Sequence, residues 1–82
     1  MNREQIGAKL RELRGERTIQ EVADDTGLGW STICSYELGR RVPDDDNKIV
    51  LAKYYNMTVQ ELFYDHDIAD SNIAKVANND TD

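Results

Sequence analysis

The sequence predicts an all-α fold, and three observations predict it. Apolar residues recur at helical rather than strand spacing. An Asn and two Thr each stand three places before a Gln or Glu, the spacing of a capping box. Glycines or an Asn follow the apolar stripes, where a left-handed residue ends a helix.

Asn2 and Gln5 form the first capping box, and Ile6, Leu10 and Leu13 follow at i, i+4, i+7, so a helix is expected over about residues 3–14, ended by Gly15. Thr18 and Glu21 open a second helix whose stripe is Ile19, Val22, Ala23 and Thr26, and Gly27 closes it. Only Leu28 and Gly29 separate this from a third helix, Trp30 to Leu38, with Ile33 and Tyr36 inward and Gly39 as its stop. So short a link permits only a tight corner between the two helices. Pro43 fits the start of a fourth helix or the residue just before it. Asp44, Asp45 and Asp46 then place negative charge at its positive end. Ile49, Leu51, Ala52 and Tyr55 are expected on its apolar side, with Asn56 as the left-handed residue beyond it. Thr58 and Glu61 open a short fifth helix running through Leu62 and Phe63.

Residues 1–64 therefore read as one domain and residues 65–82 as an acidic tail, with Ile68, Ile73, Val76 and Ala77 as a weak stripe that a frayed helix could use. At 82 residues the chain is one domain or one domain plus a tail. Its 39% apolar and 32% charged residues suit a globular chain rather than a disordered one. A single cysteine, Cys34, cannot form an internal disulfide, which excludes the stapled secreted mini-proteins. The longest apolar run, Ile49 to Ala52, is far below the ~18 residues of a membrane helix, and Met1 to Gln5 carries no apolar signal region. A cytoplasmic protein with no membrane partner is expected.

The net charge of −6 argues against a phosphate-rich partner until its distribution is read. Residues 1–41 hold seven bases and seven acids, whereas residues 42–82 hold three bases and nine acids. A neutral, arginine-containing half beside an acidic half is compatible with one phosphate-facing surface.

The stretch 18–41 carries the functional signal. Two helices joined by so short a turn pack closely only where side-chain bulk is small, which Ala23 provides, and Gly27 turns the chain without a Cβ penalty. Leu28, Ile33 and Tyr36 plug the pair into the body, which leaves Trp30, Ser31, Cys34 and Ser35 outward. A helix with such a start can enter a DNA major groove about 12 Å wide.

Residues 18–43, with Ala23, Gly27, Ile33, Tyr36-Glu37, Gly39 and a following base at their spacing, resemble the Cro/repressor-type (XRE) helix-turn-helix family of bacterial and phage regulators. Leu51 to Phe63 is similar to that family's last two helices, and Ile6 to Arg14 to its first. The resemblance implies a five-helix, lambda-repressor-like domain that binds double-stranded operator DNA as a homodimer and regulates transcription as a repressor. It puts base reading on Trp30, Ser31 and Ser35, and phosphate contacts on Thr18, Gln20, Arg40 and Arg41. Thr32 can offer a hydroxyl or backbone N–H to a phosphate, aided by the helix dipole. The dimer surface is expected around Leu62, Phe63 and Tyr64, since aromatic residues are enriched in interface cores.

Three features depart from the family pattern. Ile19 follows the second helix's cap where the family often has Gln, and Gln20 stands one place later. Trp30, Ser31 and Ser35 include no side chain able to grip G or A with two hydrogen bonds, so modest specificity per half-site is expected. Asp44 and its two acidic neighbours stand close to where phosphates would run.

Other readings are structural. Glu37 is expected to pair with an arginine of the first helix, and Cys34 to be a reduced thiol. Arg14 and Arg17 divide between phosphate contact and pairing with Glu12 or Glu16 on the helix surface. His66 has no Cys or carboxylate at ligand spacing, so neither metal nor cofactor is expected. No nucleophile stands with a base and no glycine-rich phosphate loop occurs, so the chain is expected not to be an enzyme. The rival reading is a protein-interaction module on the same scaffold, an antitoxin or anti-repressor, whose acidic tail binds a protein partner.

Overall fold

The structure is a computed structural model that describes residues 1–64. Five helices follow one another: α1 (Arg3–Arg14), α2 (Ile19–Thr26), α3 (Trp30–Glu37), α4 (Asp45–Tyr54) and α5 (Val59–Phe63). Among the described residues no strand forms, and no helix is long and apolar enough to cross a membrane. The tail's acidic residues, its Ile68–Ala77 stripe and His66 lie outside the described residues.

Helix boundaries follow the local chemistry. The Asn2 side chain accepts from the Gln5 N–H at 2.8 Å, and the Gln5 side chain accepts from the Asn2 N–H at 2.8 Å. Thr18–Glu21 and Thr58–Glu61 form the same reciprocal boxes. Each pairing satisfies two backbone donors that a helix start leaves open. At α4 the cap is Asp44, which accepts from the Asn47 N–H at 2.9 Å, and the buried Pro43 precedes it outside the helix. Asn56 adopts the left-handed φ of 59° expected of it.

The core collects Ile6 and Leu10 of α1, Val22 and Ala23 of α2, Ile33 and Tyr36 of α3, Leu51 and Ala52 of α4, and Leu62 and Phe63 of α5. The packing of α1 on α3 is the closest. A Cβ added at Gly7 would lie 2.5 Å from the Glu37 carbonyl oxygen and 2.7 Å from that of Tyr36. α1 therefore rests on the backbone of α3's last turn, with no side chain between them. One ion pair clamps the same crossing: Arg14 Nε donates to Glu37 Oε2 at 2.8 Å, and Glu37 is 5% exposed. This is the structural role expected of Glu37. Arg14 is thereby taken up by Glu37 rather than by Glu12 or Glu16. Arg17 turns its guanidinium over the rings of Tyr54 and Tyr55, 5.4 and 5.8 Å from their centroids.

Two expectations are corrected. Ile49 is 46% exposed, because residues two apart on a helix lie about 200° apart, so Leu51 and Ile49 cannot both face inward. Leu62 and Phe63, expected at a dimer surface, are 0% and 1% exposed. A five-residue helix ties itself to the body through its apolar residues, and these two, with the half-buried Val59, form that tie. Tyr64, the third residue of that set, is exposed at the surface.

The half-buried Tyr54 and Tyr55 predict an alkaline limit to stability. Burial, reinforced by the charge of Glu37, pushes the Tyr55 phenol up to about 12 from its ordinary 10.0, and burial also raises Tyr54, which donates to Asp25 at 2.8 Å. The folded state thus holds protons that the unfolded chain releases. Stability is fully present below pH 10 and falls as pH rises through the folded value near 12. Urea midpoints measured across that window should decline less in Tyr55→Phe than in the parent, and parallel declines would refute the assignment.

Candidate nucleic-acid interface

The candidate surface begins at the start of α2. The Thr18 hydroxyl accepts from the Glu21 N–H at 3.0 Å, which leaves its own O–H able to donate outward. Gln20 is exposed and its amide donates to Asp24 Oδ1 at 2.9 Å. Ile19, which follows the α2 cap, is half-buried and packs against the core.

The corner between α2 and α3 is built from three devices, two of the backbone and one of a side chain. Gly27 takes φ 78°, a left-handed value that costs a residue with a Cβ roughly 1–2 kcal/mol. Its N–H donates to the Ala23 carbonyl at 2.9 Å. The Thr26 hydroxyl donates to the Val22 carbonyl at 2.7 Å and accepts from the Leu28 N–H at 3.2 Å. Thr26 thus belongs to the turn as well as to the apolar stripe; a hydroxyl one residue before a glycine is the sequence signal for this.

α3 then leaves the corner with its start exposed. Trp30 is 50% exposed, Ser31 is exposed, and Thr32, Cys34 and Ser35 are half-buried. Gly29 caps α3 without a side-chain hydrogen bond. Ile33 and Tyr36, on the opposite side, are buried. The helix stops at Glu37, with Leu38 as its cap, and the Arg40 N–H returns to the Ser35 carbonyl at 2.9 Å. Both Arg40 and Arg41 are exposed. Arg41 has its guanidinium 5.7 Å from the Tyr36 ring centroid, and the Tyr36 hydroxyl accepts from Asn47 Nδ2 at 2.9 Å.

Along the chain, Thr18 and Gln20 sit at the head of α2, Trp30, Ser31, Thr32 and Ser35 on α3, and Arg40 and Arg41 just beyond it. Sequence reasoning did not single out Leu38 and Val42, which are exposed apolar residues flanking the basic pair. Nor did it single out Gly7, whose missing side chain sets how α3 lies on α1. Three of the nearby acids are occupied structurally: Asp24 by Gln20, Asp25 by Tyr54, and Asp44 by the start of α4. No cluster of metal-ligating side chains occurs among the described residues.

The fold and this corner define a small all-α helix-turn-helix domain. Over 62 residues, 73% of its length, the chain is 37% identical to the cryptic phage CTXphi transcriptional repressor RstR of Vibrio cholerae. The match spans 56% of that repressor, so the chain covers a little over half of its relative. No protein-family model matches, and no solved structure matches significantly.

Proposed function

We propose that this chain is a sequence-specific DNA-binding repressor of transcription that reads the major groove with α3. The observation carrying this reading is the outward start of α3, with Trp30 and Ser31 at the surface and the exposed Arg40-Arg41 pair just beyond its end. The repressor relative supports it independently. Trp30 offers an apolar face to a thymine methyl or a sugar, and the hydroxyls of Ser31 and Ser35 offer adaptable contacts to base edges. Arg40 and Arg41 take phosphates, as do the hydroxyls of Thr18 and Thr32 and the Gln20 amide. Two protomers, joined through a surface that includes Tyr64, set their α3 helices into successive major grooves ~34 Å apart, and repression follows from occlusion of a promoter.

Selection of bound sites from random duplexes, followed by salt titration on the winning site, tests this. Each arginine that neutralises a phosphate steepens the dependence of log affinity on log salt by about one. Arg40→Ala and Arg41→Ala should each flatten that slope by about one while weakening all sequences alike. Ser31→Ala with Ser35→Ala should flatten the preference among sites and leave helical content unchanged. A selection that retains no sequence would overturn the reading and favour a protein partner.

A further inference from the structure

On the reading that Arg41 takes a phosphate, we propose that Asn47, at the start of α4, is a positioning residue for DNA binding. It holds the Tyr36 ring, and the ring holds the Arg41 guanidinium in place before DNA arrives.

Two contacts form the relay. Asn47 Nδ2 donates to the Tyr36 hydroxyl at 2.9 Å, and the Arg41 guanidinium lies over the Tyr36 ring, 5.7 Å from its centroid. Tyr36 is 1% exposed, so the ring is a fixed platform rather than one that follows the arginine. The backbone around Arg41 is held as well. Before it, the Arg40 N–H donates to the Ser35 carbonyl at 2.9 Å. After it, Pro43 is buried and Asp44 caps α4 by accepting from the Asn47 N–H. Arg41 is thereby restrained at both its backbone and its guanidinium.

How an arginine is held decides what it can still bind. Arg14 is held by the Glu37 carboxylate, which neutralises it. Arg17 also lies over rings, but its Nη1 donates to the Leu13 and Arg14 carbonyls at 3.2 and 3.4 Å. A ring attracts a guanidinium through its quadrupole and leaves the positive charge uncancelled. Arg41 is exposed, and no carboxylate pairs with it among the described residues. It is therefore both restrained and open to a phosphate. Arg40 is exposed too, yet among the described residues its side chain has no hydrogen bond, ion pair or ring contact.

Ordering a long side chain on binding lowers affinity, and one ordered beforehand loses less freedom when the partner arrives. A phosphate contact in a fixed place also sets the register of a domain on the duplex. Arg41 therefore sets register, whereas Arg40 adds mobile positive charge. Asn47 contributes affinity through Arg41 without adding charge of its own.

The test measures anisotropy of the full chain on the duplex returned by site selection, across a salt series. Asn47→Ala keeps the α4 cap, because Asp44 accepts from the backbone N–H at that position, and it changes no charge. It is expected to weaken binding about two- to fivefold, the size of one exposed cation–π contact, with the salt slope unchanged. Tyr36→Phe, which keeps the ring and loses the hydroxyl, should show the same loss. Coupling separates positioning from a general structural role: Asn47→Ala should have no further effect in Arg41→Ala and its full effect in Arg40→Ala. Parent affinity in Asn47→Ala, with Arg41→Ala still flattening the slope, overturns the relay and leaves the DNA-binding reading standing. An undiminished loss in the Arg41→Ala background also overturns it, because Asn47 then acts through another group. A parent chain that binds no duplex at any salt overturns both.

Discussion

Gly7→Val is expected to lower the thermal melting temperature of this protein more than any surface substitution. Even an alanine Cβ there would press 2.5 Å from the Glu37 carbonyl oxygen, and the obstacle is backbone that cannot rotate away. Helix propensity opposes this, since Gly→Ala inside a helix gains about 1 kcal/mol. Overpacking costs typically about 1–3 kcal/mol, so Gly7→Ala should lose up to about 2 kcal/mol net. Valine surrenders most of the propensity gain and adds two branches at the contact, so its loss should exceed about 3 kcal/mol. A chain of this size has roughly 4–12 kcal/mol in total. Separating α1 from α3 also strains the Arg14–Glu37 pair at the same crossing. Circular dichroism melts of the two variants decide the matter: a parent-like transition for Gly7→Val would mean that α1 and α3 do not touch at backbone distance.

Phe63→Ala should cost nearly as much, about 3–5 kcal/mol, because it removes a large ring that is 1% exposed and leaves a cavity among α4 and α5. Tyr64→Ala, one residue on at the surface, should cost under about 1 kcal/mol in the same urea titration. The contrast separates a core residue from an interface residue. If Phe63 belonged to a dimer surface, the loss would change with protein concentration, whereas a core role makes it independent of concentration. A concentration-dependent midpoint shift for Phe63→Ala would return that residue to the interface.

The two variants also mark where sequence reasoning reaches and where it stops. Asn2–Gln5, Thr18–Glu21 and Thr58–Glu61 act through partners three residues away, so the helix starts they form are readable along the chain. Gly27 and Asn56 likewise announce left-handed turns through their own backbone preferences. The outward placement of Trp30 and Ser31 follows from the same short-range logic, since burying Ile33 and Tyr36 turns the other side of α3 to solvent.

Side-chain facing on short elements is different. Nothing within Val59–Phe63 says whether its aromatic meets this chain's core or another chain; the answer comes from α4, the helix before it, and from α1, distant in sequence, closing over it. Ile49 is apolar in composition yet outward, because the stripe that α4 needs was already supplied by Leu51 and Ala52. The partner of Arg14 is Glu37, 23 residues away, rather than a neighbour on its own helix. Gly7 looks like a weak point in α1 until α3 is laid against it.

The helices, their ends and the corner at Gly27 were written in the chain because capping, periodicity and backbone preference act over three or four residues. The closeness of α1 to α3, the burial of Leu62 and Phe63 and the pairing of Arg14 with Glu37 had to await assembly. Those contacts join residues brought near one another only when hydrophobic burial closes the whole bundle, and burial is indifferent to distance along the chain.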